Sequence, residues 1–226
     1  MKALMNLALF DLDHTLLPID SDHEWGEFLC RVGAVDTADF SRRNDAFFAQ
    51  YQAGTLDPVE YQQFALGTLA KFDPEHLATL QQQFMAEVIE PNILPAARAL
   101  LQRHLDQGDL VAIVTATNHF VTAPIAKAFG VEHLIAAMPE VIDGRITGRL
   151  QGTPTQGEGK IVHTKAWLEQ MGKTLDHFEH VYFYSDSHND LPLLSIVTHP
   201  IATNPNARLA QHANAQGWQL LQLFND

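Results

Sequence analysis

Leu7-Ala-Leu-Phe-Asp11-Leu-Asp13-His-Thr15 is the stretch on which the reading of the whole chain turns. Four apolar residues in a row, ending in a carboxylate, predict a short strand buried on both faces of a parallel sheet. Two later runs have the same shape: residues 110–114 end in Thr115, and residues 181–184 end in Ser185-Asp186. Helical segments separate them, over residues 96–107, 119–129 and 161–171, stopped by Gly108, Gly130 and Gly172. Strands alternating with helical crossovers predict an α/β fold with a doubly wound, Rossmann-like parallel sheet, whose ligands bind beyond the carboxyl ends of the strands. The polar strand ends therefore belong to one site. Residues 134–137 and 200–203 are further strand candidates, and residues 140–149 read as a hairpin turning at Asp143-Gly144.

Between Pro18 and Pro91 strand-like runs give way to amphipathic stretches rich in Phe, Leu, Gln and Ala. Asp57-Pro58 and Asp73-Pro74 each set a capping carboxylate before a proline in a first helical turn. Four helices are expected there. The division that follows is a catalytic core of residues 1–17 and 92–226, with residues 18–91 inserted as an all-helical cap over the active edge of the sheet. Its connections near Pro18 and Pro91 to Pro95 are the expected hinges.

Composition narrows the function. The 226 residues, 46% apolar, can bury a full core. With 27 acidic against 14 basic residues the formal charge is −13, a field that repels nucleic acids and anionic membranes. A small anion can still bind where N–H groups, a lysine and a metal ion reverse the field locally. The lone cysteine, Cys30, leaves no internal disulfide, as suits a reducing cytoplasm. No apolar run reaches 18 residues, so no membrane span is expected, and the N-terminal stretch reads as a buried strand rather than a signal peptide.

Four features sit in order at strand ends or helix entrances. Asp11 and Asp13, two apart, can both face one phosphate, one attacking while the other handles protons. Thr115, with Ala116, Thr117 and Asn118 after it, offers a hydroxyl and free backbone N–H groups to phosphate oxygens. Lys160, after Gly157-Glu158-Gly159, can neutralise phosphate charge. Asp186-Ser187-His188-Asn189-Asp190 carries carboxylates that suit an oxygen-liganded magnesium ion. Each alone is an ordinary turn, cap or solvated lysine; the ordered set is what points to a site. A P-loop is rejected, because glutamate follows Gly157 and isoleucine follows Lys160. The twelve histidines are scattered and contain no H-E-x-x-H. His14, His119 and His188 lie in or beside the motifs, where loop occupancy is their ordinary role. Trp25, Phe47, Phe48 and Tyr51 are expected to pack the cap.

The four features resemble the motifs of the haloacid dehalogenase superfamily, along the whole chain and in order. The helical insertion is similar to the cap of its phosphoserine phosphatase-like subfamily, which includes histidinol phosphatases. That resemblance implies a magnesium-dependent phosphomonoesterase acting on a small phosphorylated metabolite. In it Asp11 forms an aspartyl-phosphate, and Asp13 protonates the leaving alcohol and then deprotonates water. Magnesium would be held by Asp11, the Asp13 carbonyl and Asp186. Thr115, the neighbouring Ala116 and Lys160 would clamp phosphate oxygens, Asp190 would position Lys160 or a metal-bound water, and Asn189 would bond near the phosphate or Asp11.

Substrate choice is expected in the cap. Asp20, Asp22 or Glu24 can pair with a substrate amine, and Arg42 or Arg43 with a carboxylate, although adjacent helical residues do not share a face. Phosphoserine phosphatases resemble this chain but carry a glutamate where it has Asp20, a departure that weighs against phosphoserine. A phosphotransferase to a small alcohol would use the same residues. A receiver-like signalling module would need neither a lid nor Asp13.

Overall fold

The computed structural model describes residues 5–224. Strand β1 (Leu7–Phe10) leads into four helices, α1 (Ser21–Arg31), α2 (Thr37–Ala53), α3 (Pro58–Leu69) and α4 (Pro74–Phe84). Helix α4 passes through a π-helical turn at Met85–Ile89 into a short α5 (Glu90–Asn92). Then come α6 (Pro95–Asp106), β2 (Leu110–Asn118), α7 (His119–Phe129), β3 (His133–Ala137) and the hairpin β4 (Pro139–Ile142) and β5 (Arg145–Leu150). The chain closes with α8 (Glu158–Gln170), β6 (Val181–Ser185), α9 (Leu191–Leu194), β7 (His199–Thr203), α10 (Ala207–Gln216) and β8 (Gln219–Leu221).

Six strands form one parallel sheet in the order β3-β2-β1-β6-β7-β8. Strand β1 is central, with Leu7 in register with Leu110 on one side and Val181 on the other. Winding runs outward from β1 to β3 and then resumes at β6, so the switch point lies between β1 and β6, where a crevice opens at the strand ends. The unbroken apolar run of β1 follows from this position. Ala8 and Phe10 pack on one face with Ile113 and Tyr184, while Leu7 and Leu9 pack on the other with Val114 and Phe183. Phe10 stacks on Tyr184 with ring centroids 4.6 Å apart. Beside this stack a buried chain, Tyr184 hydroxyl to His104 Nε2 (2.8 Å) and His104 Nδ1 to Asp109 (2.7 Å), ties α6 to the sheet with its polar atoms satisfied.

The expected hairpin is present, with Ile142 paired to Arg145 and both turn residues at positive φ, Asp143 at 50° and Gly144 at 75°. One expectation shifts. Strand β2 extends to Asn118, and its pairing with β3 is irregular between Val114 and Asn118, so Thr115 sits in a distorted strand segment instead of beyond the strand end.

All four helices after β1 begin on an aspartate, Asp20, Asp36, Asp57 and Asp73, whose side chain accepts a backbone N–H of the first turn. The apolar faces of α1, α3 and α4 share one core with the sheet, in which Trp25 packs edge-on to Phe84 at 5.1 Å, while α2 sets Phe47 against Tyr61 and Phe64 of α3. Helices α1 and α2 approach closely at Gly26, where a Cβ would lie 2.6 Å from the Asn44 amide. Helix α3 meets β5 at Gly148, where a Cβ would lie 3.2 Å from Gly67 Cα. Among the described residues no helix is long and apolar enough to cross a membrane.

Candidate active site

Asp11 follows β1 directly, and its N–H continues the ladder by donating to the Tyr184 carbonyl at 2.9 Å. The chain then turns sharply: Leu16 and Leu17 N–H groups both donate to the Leu12 carbonyl, and His14 takes a φ of 56°. Asn204, beyond β7, holds this turn by donating to the His14 carbonyl at 3.0 Å. The turn brings Asp13 between α1 and β2. Its Oδ1 accepts from Ser21 N at 2.7 Å and its Oδ2 from the Thr117 hydroxyl at 2.8 Å. Burial, and next the charge of Asp20, raise the Asp13 pKa to about 6 against the pull of those two donors.

On the opposite side Lys160, in the first turn of α8, is buried between two carboxylates. Its Nζ lies 2.8 Å from Asp11 Oδ1 and 2.7 Å from Asp190 Oδ2, and Asp190 also accepts from the Ser185 hydroxyl at 2.7 Å. Burial opposes the charge on Lys160, but Asp11 and Asp190 outweigh it and its pKa rises. Thr15 links the remaining carboxylate: it accepts from Asp186 N at 3.0 Å, and its hydroxyl lies 3.4 Å from both Asp11 Oδ2 and Asp186 Oδ1. Among the described residues no lysine or arginine pairs with Asp186, and burial followed by repulsion from Asp11 and Asp190 pushes its pKa well up against the pull of Lys160.

Three buried carboxylates around a single lysine leave negative charge uncompensated, and Asp11 and Asp186 share one hydroxyl between them. Hard oxygen donors in such excess fit a divalent cation, whose charge would reverse the upward shift on Asp186. Among the described residues, one trio of metal-type side chains has donor atoms all within 4.8 Å of one another, namely His23, Glu27 and Asp45 on the flank of α1 and α2. There His23 already bonds Asp45 at 3.0 Å.

A cavity opens beside Asp11 and Asp13 under the helices. Thr115, Ala116 and Thr117 form its rim on the sheet side, with Thr117 N donating to Thr115 Oγ1 at 3.1 Å. Asp20, Asp22 and His23 line it from α1 and the residue before it; Phe47, Phe48 and Tyr51 line it from α2. Tyr61 and Gln62 of α3 complete the wall, and Gln62 Nε2 donates to the Ala116 carbonyl at 3.0 Å. Among the described residues no lysine or arginine lines this cavity.

The expected motif residues Asp11, Asp13, Thr115, Ala116, Lys160, Asp186 and Asp190 are thus gathered around one crevice. Asp20 reaches the same cavity while its Oδ1 caps α1 through Asp22 N and His23 N. Arg43 is not brought there. Its guanidinium stacks 4.7 Å from the Phe64 ring centroid on the outer side of α2, since the face turned inward is that of Asn44, Phe47, Phe48 and Tyr51. Arg42 pairs with Asp39 on the exposed surface. Asn189 turns toward the helices, where its amide donates to the Tyr51 carbonyl at 3.4 Å rather than to Asp11. Phe47, Phe48 and Tyr51 depart from the expectation of plain packing by lining the cavity, whereas Trp25 is core. His14 and His188 line a second opening behind Tyr51, and His119 lies on the outer surface of α7. Gln62 is a site residue that the sequence reading misses, while Thr117 and Ser185 are read only as part of a helix entrance and a strand end, without their bonds to Asp13 and Asp190. Only the i, i+3, i+4, i+7 spacing of Asn44, Phe47, Phe48 and Tyr51 was available as a signal, and spacing does not say what a face meets.

A doubly wound sheet that sets a carboxylate pair, a buried lysine and two further buried carboxylates at its switch point, under the helices that follow β1, defines a phosphate-handling hydrolase. Comparison with known proteins agrees. The family model described as haloacid dehalogenase-like hydrolase matches residues 8–195, and the chain belongs to that family. It is 43% identical, over 96% of its length and 99% of the relative's, to a histidinol-phosphatase of Neisseria meningitidis serogroup C. It is 31% identical to a phosphoserine phosphatase of Mycobacterium tuberculosis, over 94% of this chain and 69% of that one. A crystal structure of a protein of unknown function from Bordetella pertussis Tohama I superposes with a TM-score of 0.94 at 52% identity, covering 98% of this chain and all of the other. A substrate-bound phosphoserine phosphatase shares the fold, with a TM-score of 0.69 at 16% identity over 96% and 92% of the two chains. The protein is a phosphatase of the phosphoserine phosphatase-like branch.

Proposed function

We propose that this phosphatase hydrolyses a small amino-bearing phosphomonoester, histidinol phosphate, through an aspartyl-phosphate on Asp11. The observation that carries the substrate reading is the cavity beside Asp11, which offers carboxylates and aromatic rings but no lysine or arginine. A ligand with an ammonium group and an imidazole ring complements that wall, since cations pair with carboxylates and lie favourably on aromatic faces. The carboxylate of phosphoserine would meet carboxylates there and no lysine or arginine to pair with. The Neisseria relative is a histidinol-phosphatase, which supports the same choice.

The chemistry proceeds in two displacements. A carboxylate oxygen of Asp11 bonds to phosphorus as the bond from phosphorus to the ester oxygen breaks, and Asp13 gives its proton to the departing alcohol. Water then attacks the phosphorus of the aspartyl-phosphate, Asp13 takes up the proton, and inorganic phosphate leaves with Asp11 restored. A pKa near 6 suits Asp13 to both transfers near neutral pH. Lys160, pinned by Asp190, and the Thr115 hydroxyl with the Ala116 N–H are assigned to the non-bridging oxygens. Asp11, Asp186 and the Asp13 carbonyl would hold magnesium, which supplies charge neutralisation between the phosphate and the carboxylates. Residues 18–91 are assigned as the cap that shields this centre from water.

The test is phosphate release from p-nitrophenyl phosphate, phosphoserine and histidinol phosphate, with magnesium and with chelator. Histidinol phosphate is expected to give the highest kcat/KM, chelator to abolish release, and Asp11→Asn to lower kcat by on the order of 10³-fold or more. A preference for phosphoserine would reject the substrate reading, and full activity of Asp11→Asn would reject the mechanism.

A further inference from the structure

Two oxygens on the cavity wall stand out among the buried polar atoms. Asp22 is 6% exposed, and its Oδ2 has no hydrogen-bond partner; Gln62 is 3% exposed, and its Oε1 has none either. Both residues line the cavity beside Asp11. Gln62 cannot turn its amide round to help, because its Nε2 is engaged with the Ala116 carbonyl at 3.0 Å. Asp22 Oδ1 is held at 3.3 Å by the Asn118 amide, the residue that also caps α7, so the carboxylate is fixed at the junction of α1, β2 and α7. Buried acceptors without donors are unfavourable, and both of these belong to residues that line one cavity. Their complement is a group that only donates.

We propose that Asp22 Oδ2 and Gln62 Oε1 form the seat for the substrate's ammonium group, making Asp22 the residue that selects an amino-bearing phosphomonoester. This rests on the proposed function and assigns its selectivity. Asp20 is the competing candidate, being at the spacing where phosphoserine phosphatases resemble this chain but carry glutamate. Its Oδ1 is occupied by two N–H donors of the α1 cap, and the residue is only half-buried, so it is not forced to find a ligand partner. An ammonium group at Asp22 also answers the environment there, since burial and then the charges of Asp20 and Asp13 hold Asp22 at a pKa of about 8 despite the Tyr61 phenol beside it. A cation relieves all three pressures together.

The experiment pairs a change in the protein with a change in the ligand. Native protein, Asp22→Asn and Asp20→Asn are assayed with histidinol phosphate and with 3-(imidazol-4-yl)propyl phosphate, which has the same carbon skeleton and lacks only the amine. Native protein is expected to favour the amine-bearing ester by tenfold or more in kcat/KM. Asp22→Asn is expected to reduce that preference to within about threefold, chiefly through KM, while Asp20→Asn keeps most of it. A preference retained in Asp22→Asn overturns the inference. No preference in the native protein overturns the substrate reading instead, so the two failures are distinct. Should Asp22→Asn not fold, as read by circular dichroism, Gln62→Leu decides: a preference lowered several-fold supports the seat, and an unchanged one rejects it.

Discussion

In the free protein burial and the neighbouring Asp20 raise the Asp22 pKa to about 8, and a bound ammonium group would lower it again and leave the carboxylate that accepts it. An unfolded aspartate titrates near 3.9. Between about pH 4 and pH 8 the native state therefore binds a proton that the unfolded state has lost, and stability falls as pH rises through that window. Above it the penalty is complete. Asp22→Asn removes this titration, so the free protein should gain stability over the native chain as pH increases. A gain larger by on the order of 1–3 kcal/mol at pH 8.5 than at pH 5, read from urea unfolding in chelator, is expected. An equal difference at both pH values would exclude a raised pKa at this position. The gain in stability would accompany the loss of amine selectivity, as befits a side chain strained for binding.

The start of α8 shows how an element delivers one side chain. Lys160 reaches both Asp11 and Asp190 because Gly159 lets the helix approach the Pro154 carbonyl, where a Cβ would lie only 2.0 Å from the oxygen. The obstacle is backbone, so relief requires the loop or the helix end to move. Gly159→Ala should lower stability by about 1–3 kcal/mol and kcat/KM by tenfold or more as Lys160 shifts. Gly67 of α3 has open space where its Cβ would stand, so Gly67→Ala should leave stability unchanged or raise it by about 0.5–1 kcal/mol. Thermal unfolding and steady-state assays of the pair distinguish a steric role from a general intolerance of alanine. Element boundaries were legible to the same degree. Glycine stops and Asp-Pro starts are local signals, and α3, α4, α6, α7 and α8 follow them closely. The irregular end of β2 was not, because it answers to β3 and to Asp13 across the sheet. Helix α10 and edge strand β8 were not read: α10 buries only Leu209 and Ala213 among Ala, Gln and Asn, and the 3 residues of β8 are too few to show a strand pattern.

Over the whole molecule a formal charge of −13 surrounds a site that must admit a phosphate dianion. Salt shortens the reach of that repulsion, the screening length falling from about 30 Å at 0.01 M to about 8 Å at 0.15 M. At fixed free magnesium, kcat/KM for p-nitrophenyl phosphate should rise about two- to fivefold over that range. Histidinol phosphate brings its own positive charge and should respond less. A fall with salt for p-nitrophenyl phosphate would mean that local attraction at Lys160 and the metal-type cluster, rather than net charge, governs entry.

By itself the sequence determined which motifs exist and in what order they meet the sheet. Asp11, Thr115 and Asp186 are readable because a buried strand announces itself as a short apolar run followed by polar residues, and Lys160 because it follows Gly157-Glu158-Gly159 at a helix entrance. Tertiary structure alone decided what the inserted helices present to that edge. Periodicity groups Asn44, Phe47, Phe48 and Tyr51 on one face, yet only packing turns that face inward and leaves Arg43 on Phe64. Asp20 and Asp22 look alike in the chain. One is half-exposed and caps a helix, and the other is buried with an oxygen unanswered, because burial depends on which distant elements close over a residue.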